Sequence, residues 1–407
     1  MSPNARGTTT LVSVALLAIA VAACSTTSNA AKSTGATGPA NPGASTSAAT
    51  CSPTATIAGA SADVMAAQKN LVQAAATTST WDGPKTGPKA QKPGATMVFI
   101  PLTSSNAGDL GVEKGFEQAA TALGWKVKII DGGGGATTYL TALGQAIALK
   151  PAGIAVSSLD PVASESEFAK AKSLGIAVVG NHVGNGPGPQ QTAPAMFTNV
   201  TSDPAKIASI AADCAIVAGN GKAGVTISGC GTEVSICQLK EDAMKTEMQT
   251  CSGCKVLAQH DYPFEDAQQR EGSIATSDLQ KYGKQLTYML SINDIYWDGA
   301  IPAVRAAGVG PSGPPLMIAA GDGSPAAFQR IRQGQYQIAS VAEPLNEHGW
   351  QMADEMNRAL AGAQPSGYVT YPHIVIKANV DAAGGQNNTY DPSNGYQTQY
   401  KKTWGVS

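Results

Sequence analysis

The chain has 407 residues, 43% of them hydrophobic, enough for about two or three domains, each with its own core. Its 27 basic and 29 acidic residues leave a net charge of -2, so it has no basic field to hold nucleic acid and no acidic tail. Past the N-terminal segment no apolar run is long enough to span a bilayer, and 45 glycines against 5% aromatics suit a chain with many tight βα turns.

At the start, Arg6 precedes an apolar run from Leu11 to Ala23 that ends in Val21, Ala22, Ala23 and Cys24. A charged residue, an apolar stretch and small residues before a cleavage point read as a secretory signal over 1–23. The cysteine after the small residues resembles the bacterial lipobox, which implies a diacylglyceryl group on Cys24 and attachment to the outer face of the cytoplasmic membrane. The rival reading, an uncleaved anchor helix, is disfavoured by the shortness of the run. Residues 24–50 are almost all Ser, Thr, Ala, Gly, Pro and Asn, too polar and small to offset their ordering entropy, and read as a tether.

Export decides how the cysteines are read. Apart from Cys24 there are six: Cys51, Cys214, Cys230, Cys237, Cys251 and Cys254. An even number in an oxidising compartment suggests disulfides. Spacing favours Cys230 with Cys237 and Cys251 with Cys254, leaving Cys51 with Cys214, without proving that connectivity. A zinc half-site or redox pair at Cys251 and Cys254 is the rival, but no second CxxC or paired histidine accompanies it. No metal and no cofactor is expected.

Residues 51–93 form an appendage. Positions 60–76 have helical spacing (Val64, Ala67, Leu71, Ala75), and the turn-rich stretch after Trp81 is expected to run extended over the surface. From Ala95 short apolar strands alternate with helices. Strands are expected at 96–101, 126–131, 153–157 and 176–180, and helices at 110–123 (Leu110, Phe116, Ala120 and Leu123 inward), 136–149 and 164–174. After Asn199 the alternation resumes, with helices at 205–218, 239–250, 267–281 and 299–307 and strands at 223–228, 255–260, 286–291 and 316–320. Such alternation indicates βαβ units and doubly wound parallel sheets. Two modules of similar size imply a cleft between them, with ligands at the carboxyl ends of the strands.

Several landmarks then fall in a recognisable order: Gly115 and Phe116 to Leu123, Gly124 and Trp125; Ala152 to Val156 with Asp160 and Pro161; Gly175 to His182; Asn199 to Asp203; Ser291 to Asp294; Ala320 to Gly323. From about Ala95 to Ala378 the chain resembles the type I periplasmic, ribose-binding-like sugar-binding proteins of ABC importers. That resemblance implies an α/β fold of two doubly wound parallel-sheet lobes joined by a three-strand hinge. Crossovers are expected near Asn199, Ala342 and Pro372. Lobe one would then be 94–199 plus 343–372, and lobe two 200–342 plus 373–407. The implied function is an extracytoplasmic, monomeric solute-binding lipoprotein. It would capture a small polar ligand, a sugar foremost, and deliver it to an ABC permease and ATPase complex. The implied closure is a rigid-body motion biased by the ligand.

A sugar offers paired hydroxyls and an apolar C–H face, which call for carboxylates, amides and aromatic covers. In lobe one the candidates are Thr103, Ser105, Asn106 and Asp109 in the first βα loop, with helix capping as the alternative role. Asn181 and His182 stand where the family usually has Asp-Arg. In lobe two, Asn293 and Asp322 fall on the family's Asn and Asp, with turn stabilisation as the alternative. Lys240 approximates a family Arg, and Glu343 lies beside the second crossover. Tyr262, Phe264 and Trp297 are candidate stacking groups or core residues. The family's two arginines are not matched as arginine and its first-loop aromatic pair is replaced by Gly108 and Asp109, so the ligand need not be a pentose.

An enzyme is the first rival. The four histidines are dispersed, no G-x-S-x-G or H-E-x-x-H is present, and the glycines 132–135 lack the Gly-Lys-Ser/Thr ending of a phosphate loop. The second rival is a sensor subunit that presents the same closed clamp to a membrane receptor; fold alone does not separate the two.

Overall fold

A computed structural model describes residues 50–232 and 234–407. The signal, the acylated Cys24 and most of the tether expected above lie outside the described residues.

The first element, α1 (Ala62–Ala74), buries Val64, Ala67, Leu71 and Ala74. The first sheet then builds from β1 (Thr96–Ile100), α2 (Ala107–Ala122), β2 (Lys126–Ile129), α3 (Ala136–Ala148), β3 (Gly153–Ser157), α4 (Pro161–Ser173), β4 (Ala177–Asn181) and β5 (Thr198–Val200). Its five strands are all parallel, in the order β2-β1-β3-β4-β5.

A second run follows: α5 (Pro204–Ala218), β6 (Gly224–Gly229), α6 (Ser235–Thr250), β7 (Lys255–Asp261), α7 (Ala267–Tyr282), β8 (Tyr288–Ser291), α8 (Ile295–Ala306), β9 (Leu316–Ala319), α9 (Pro325–Gln333) and β10 (Gln337–Ala342). After α10 (Leu345–Leu360) come β11 (His373–Ile376), α11 (Val380–Gly384) and α12 (Tyr396–Trp404). The second sheet runs β11-β10-β9-β8-β6-β7, parallel except where β11 pairs antiparallel with β10.

The strands read as continuous apolar runs because helices cover both faces; β1, β3 and β6 are buried almost throughout. Helix starts come from caps. Asp160, Asp203 and Ser324 each accept a hydrogen bond from the first turn and each precedes a proline, whose missing N–H costs nothing there. These caps begin α4 at Pro161, one turn before the expected 164. In the same way Asn106 starts α2 at Ala107, and the buried face is set by Val112, Phe116 and Ala119. Leu110, expected inward, lies two positions before Val112 on another face and is 41% exposed.

The chain passes between the sheets after β5, after β10 and between α10 and β11. α10 serves the first lobe, packing closely on α2: a β-carbon on Gly115 would lie 2.2 Å from the Asn346 carbonyl. The C-terminal tail, expected with lobe two, divides. β11 joins the second sheet, whereas α12 returns to the first lobe, where Trp404 stacks on Trp350 at 5.7 Å and donates to Asp354 at 2.7 Å. Bulky aromatics on α12 need a core, and the Trp350 side of α10 supplies it.

The appendage spans both lobes. Its α1 packs on α5, and Cys51 is disulfide-bonded to Cys214. Beyond it, Trp81 packs on Tyr368 and Tyr400 of the first lobe, and Asn357 holds the backbone of residues 88–91. The other disulfides are Cys230–Cys237 and Cys251–Cys254.

Candidate ligand-binding cleft

Residues at the carboxyl ends of strands from both sheets converge on one small interlobe cavity of about 40 Å³. The first lobe supplies Leu102 and Asn106 after β1, Ser158 after β3 and His182 after β4. The second supplies Cys230 after β6, Lys240 from α6, Ile292 and Asn293 after β8, and Asp322 after β9. Ser158 and His182 both hold left-handed backbone, with φ of 57° and 54°. Side chains rarely adopt that conformation, and it turns each residue out of its strand into the cleft.

Asp322 carries one interlobe contact. Its Oδ2 accepts from Asn293 Nδ2 at 2.7 Å, and a β-carbon on Gly108 would lie 2.0 Å from that oxygen. The carboxylate therefore sits against the first turn of α2, across the cleft, where partial positive charge favours it. Burial raises its pKa, with the Lys240 charge opposing the rise. Asp294, next to Asn293, positions the loop that bears Asp322: it accepts from Gly323 N and Ser324 N, both at 2.9 Å, and from Ser340 and Gln337. Burial pushes Asp294 up to about 6.

At the hinge, His182 Nε2 lies 3.1 Å from Glu343 Oε2, which also accepts from Ser202 N at 3.3 Å. Burial alone would raise the Glu343 pKa, but the charge and hydrogen bond of His182, with Lys240, hold it well below the ordinary carboxylate range. Burial pulls His182 down, but the charge and hydrogen bond of Glu343, with the charge of Asp322, together outweigh it, so its pKa is raised. Lys240 Nζ donates to Ala320 O at 2.8 Å and lies 4.0 Å from Glu343 Oε1. His348, buried behind them, is pushed down to about 4. One ring nitrogen of His182 and of His348 and one oxygen of Glu343 lie within 4.8 Å of one another. That is a donor set a divalent cation could use. Here the Glu343 oxygens face His182 and Lys240, and His348 Nε2 faces Thr370 Oγ1 at 2.6 Å, so the group reads as an ion-pair network.

The cavity brings together Asn106, His182, Lys240, Phe264, Asn293 and Asp322 of the expected residues. The others stand elsewhere. Asp109 is buried behind Ser157 and Ser158, accepting from both and from Leu102 N, and so props the loop rather than lining the cavity. Asn181 donates to Val200 O inside the sheet edge. Thr103 and Ser105 bond to each other at the surface. Tyr262 is buried against Glu271, and Trp297 is fully buried in the second lobe's core. Their size and apolar character suit a core as well as a sugar face, and burial decides for the core. Glu343 acts on the cleft through His182 and Lys240.

Sequence reasoning missed Leu102, Ser158 and the loop closed by Cys230–Cys237, whose Val234 and Ile236 wall the cavity. The signal for Ser158 was its place just past a buried strand; apolar wall residues carry no such signal.

The family model for the periplasmic binding protein domain matches residues 97–364, and the chain belongs to that family. It is a family of binding proteins, not enzymes. No curated protein matches the chain. Among solved structures it is similar to an ABC transporter solute-binding protein from Agrobacterium vitis bound with α-D-tagatopyranose: 22% identity, 73% of this chain and 99% of that one covered, TM-score 0.66. A second from the same organism, with bound allitol, covers 71% and 97% at 21% identity and TM-score 0.61. One from Actinobacillus succinogenes with bound D-allose covers 72% and 100% at 18% identity and TM-score 0.62. These likenesses establish a shared fold.

Proposed function

We propose that this periplasmic binding protein is an extracytoplasmic lipoprotein that captures a sugar or polyol between its lobes and hands it to an ABC permease and its ATPase. The observation that carries the reading is the convergence of Asn106 and His182 from one lobe with Asn293, Lys240 and Asp322 from the other. Amides, a carboxylate and an ammonium suit hydroxyls that both donate and accept. The sugars and the polyol held by the structurally similar proteins support the same class. A cavity of about 40 Å³ is smaller than a monosaccharide, so entry requires the lobes to part about the three crossovers and close again on the ligand.

Cys24 is the proposed point of lipid attachment. Among the described residues no helix is long and apolar enough to cross a membrane. Cys24→Ala should move the protein from the membrane fraction to the soluble exported fraction; retention in the membrane would reject the anchor.

The test of ligand class is a thermal-shift and calorimetric screen of the full-length protein against monosaccharides, polyols, amino acids and nucleosides. A ligand at about a hundred times its Kd adds roughly 2.7 kcal/mol of stability. A sugar or polyol hit lost in Asp322→Ala establishes class and site. Binding of amino acids or nucleosides alone overturns the class.

A further inference from the structure

The polar cavity is not the end of the cleft. A second cavity, also about 40 Å³, adjoins it on the side away from the hinge. The two share Leu102 and Ser158 of the first lobe and Val234 and Phe264 of the second. The partition is thus mostly apolar and is made by residues that separate when the lobes part.

The second chamber differs in chemistry. Leu140, Leu159, Ala136 and Ala163 contribute much of its wall. Its polar side chains include Tyr139 and Asp160, which are already committed. The Tyr139 hydroxyl donates to Ile100 O at 2.6 Å and accepts from Ser157 N at 3.0 Å. Asp160 caps α4 through Ala163 N at 2.8 Å and accepts from Ser235 Oγ of the second lobe at 3.4 Å. A hydroxyl placed there would exchange water for few new partners, whereas an alkyl group would lose only water contact. Val234 stands between Cys230 and Cys237, so the disulfide holds the apolar wall in place.

We propose that the physiological ligand is amphipathic: a hydroxylated ring or chain held by Asn293, Asp322 and His182, bearing an apolar O-alkyl-type substituent that passes Leu102, Val234 and Phe264 into the second chamber. This rests on the sugar or polyol reading and narrows it to glycosides or ethers over free sugars. The hinge-end groups read the hydroxyls, and the chamber reads the substituent.

The test uses the full-length protein and isothermal titration with free D-allose, D-galactose, D-glucose and D-xylose, their methyl and n-propyl glycosides, and the 6-O-propyl ethers of the hexoses. Burying one methylene is worth about a fourfold change in affinity, so the two methylenes that separate methyl from propyl should give roughly tenfold or more. The expected result is a propyl derivative at least tenfold tighter than its methyl or free counterpart. Ala163→Leu, which fills the second chamber from the first turn of α4, should erase that gain and leave the free sugar's affinity unchanged. Free sugars that bind while every propyl derivative binds equally or more weakly overturn the amphipathic ligand and leave the sugar reading standing. A propyl gain that survives Ala163→Leu places the substituent elsewhere and also overturns it. If no sugar, glycoside or ether binds, the sugar reading itself fails and this inference falls with it.

Discussion

The two ends of the cleft are built on opposite principles. At the hinge end, His182, Lys240, Glu343 and Asp322 place four ionisable groups in nearly complete burial: His182 and Lys240 face Glu343, Lys240 also donates to a backbone carbonyl, and Asp322 accepts from Asn293. At the mouth, the wall is Leu102, Phe264 and Val234, the last on a disulfide-closed loop, and the polar groups nearby are tied up in helix capping and backbone bonds. Buried charge is costly unless paired, so the hinge end tolerates little change; apolar walls tolerate volume-conserving change. A ligand meets specificity by hydrogen bonding at one end and by shape at the other.

The comparison breaks most sharply at Glu343. Glu343→Gln leaves His182 and Lys240 buried with their shared anion removed. It should cost about 3–5 kcal/mol in a denaturant titration, and a loss under 1 kcal/mol would show that the network is not an ion pair. At the mouth, Cys230→Ser with Cys237→Ser opens a short loop and should cost about 2.5 kcal/mol by chain entropy. Its expected signature is weaker binding of a free sugar alongside the lost stability, since Cys230 and Cys237 also line the polar cavity.

His182→Gln should cost about 1.5–3 kcal/mol, the worth of a hydrogen bond to a charged group, and the deficit should depend on pH. The pKa of His182 is raised in the folded protein above 6.5. Its contribution is therefore fully present below about pH 6.5 and is lost as pH rises through the folded value. Unfolding of both proteins at pH 6 and pH 9 checks this; a deficit that grows with pH would reverse the assignment. The smallest effect belongs to the exposed pair Lys170–Glu167 at 3.2 Å. Lys170→Ala should change stability by no more than about 0.5 kcal/mol, which calibrates the burial argument for the hinge.

Much of the site was legible because strand ends are. Asn293, Asp322 and His182 each follow a run of buried apolar residues, and a polar residue just past such a run sits on the cleft side of a doubly wound sheet. Thr103, Ser105 and Asn181 satisfy the same rule, yet they bond to their own lobe. Which way a loop turns depends on backbone such as the left-handed conformation at Ser158 and His182. Tyr262 and Trp297, read as stacking groups or core residues, lie outside the cavity lining: an aromatic ring is chemically equivalent in a core and over a sugar.

By itself the sequence determined the alternation of strands and helices and the presence of two modules, because these rest on interactions within a few residues. Only the tertiary structure decided that α12 returns to the first lobe, that the appendage braces both lobes, that Asp322 meets α2 across the cleft, and that a disulfide loop walls the mouth. Each of those joins residues far apart in the chain, and long-range contacts are selected by fit and burial, which local spacing does not encode.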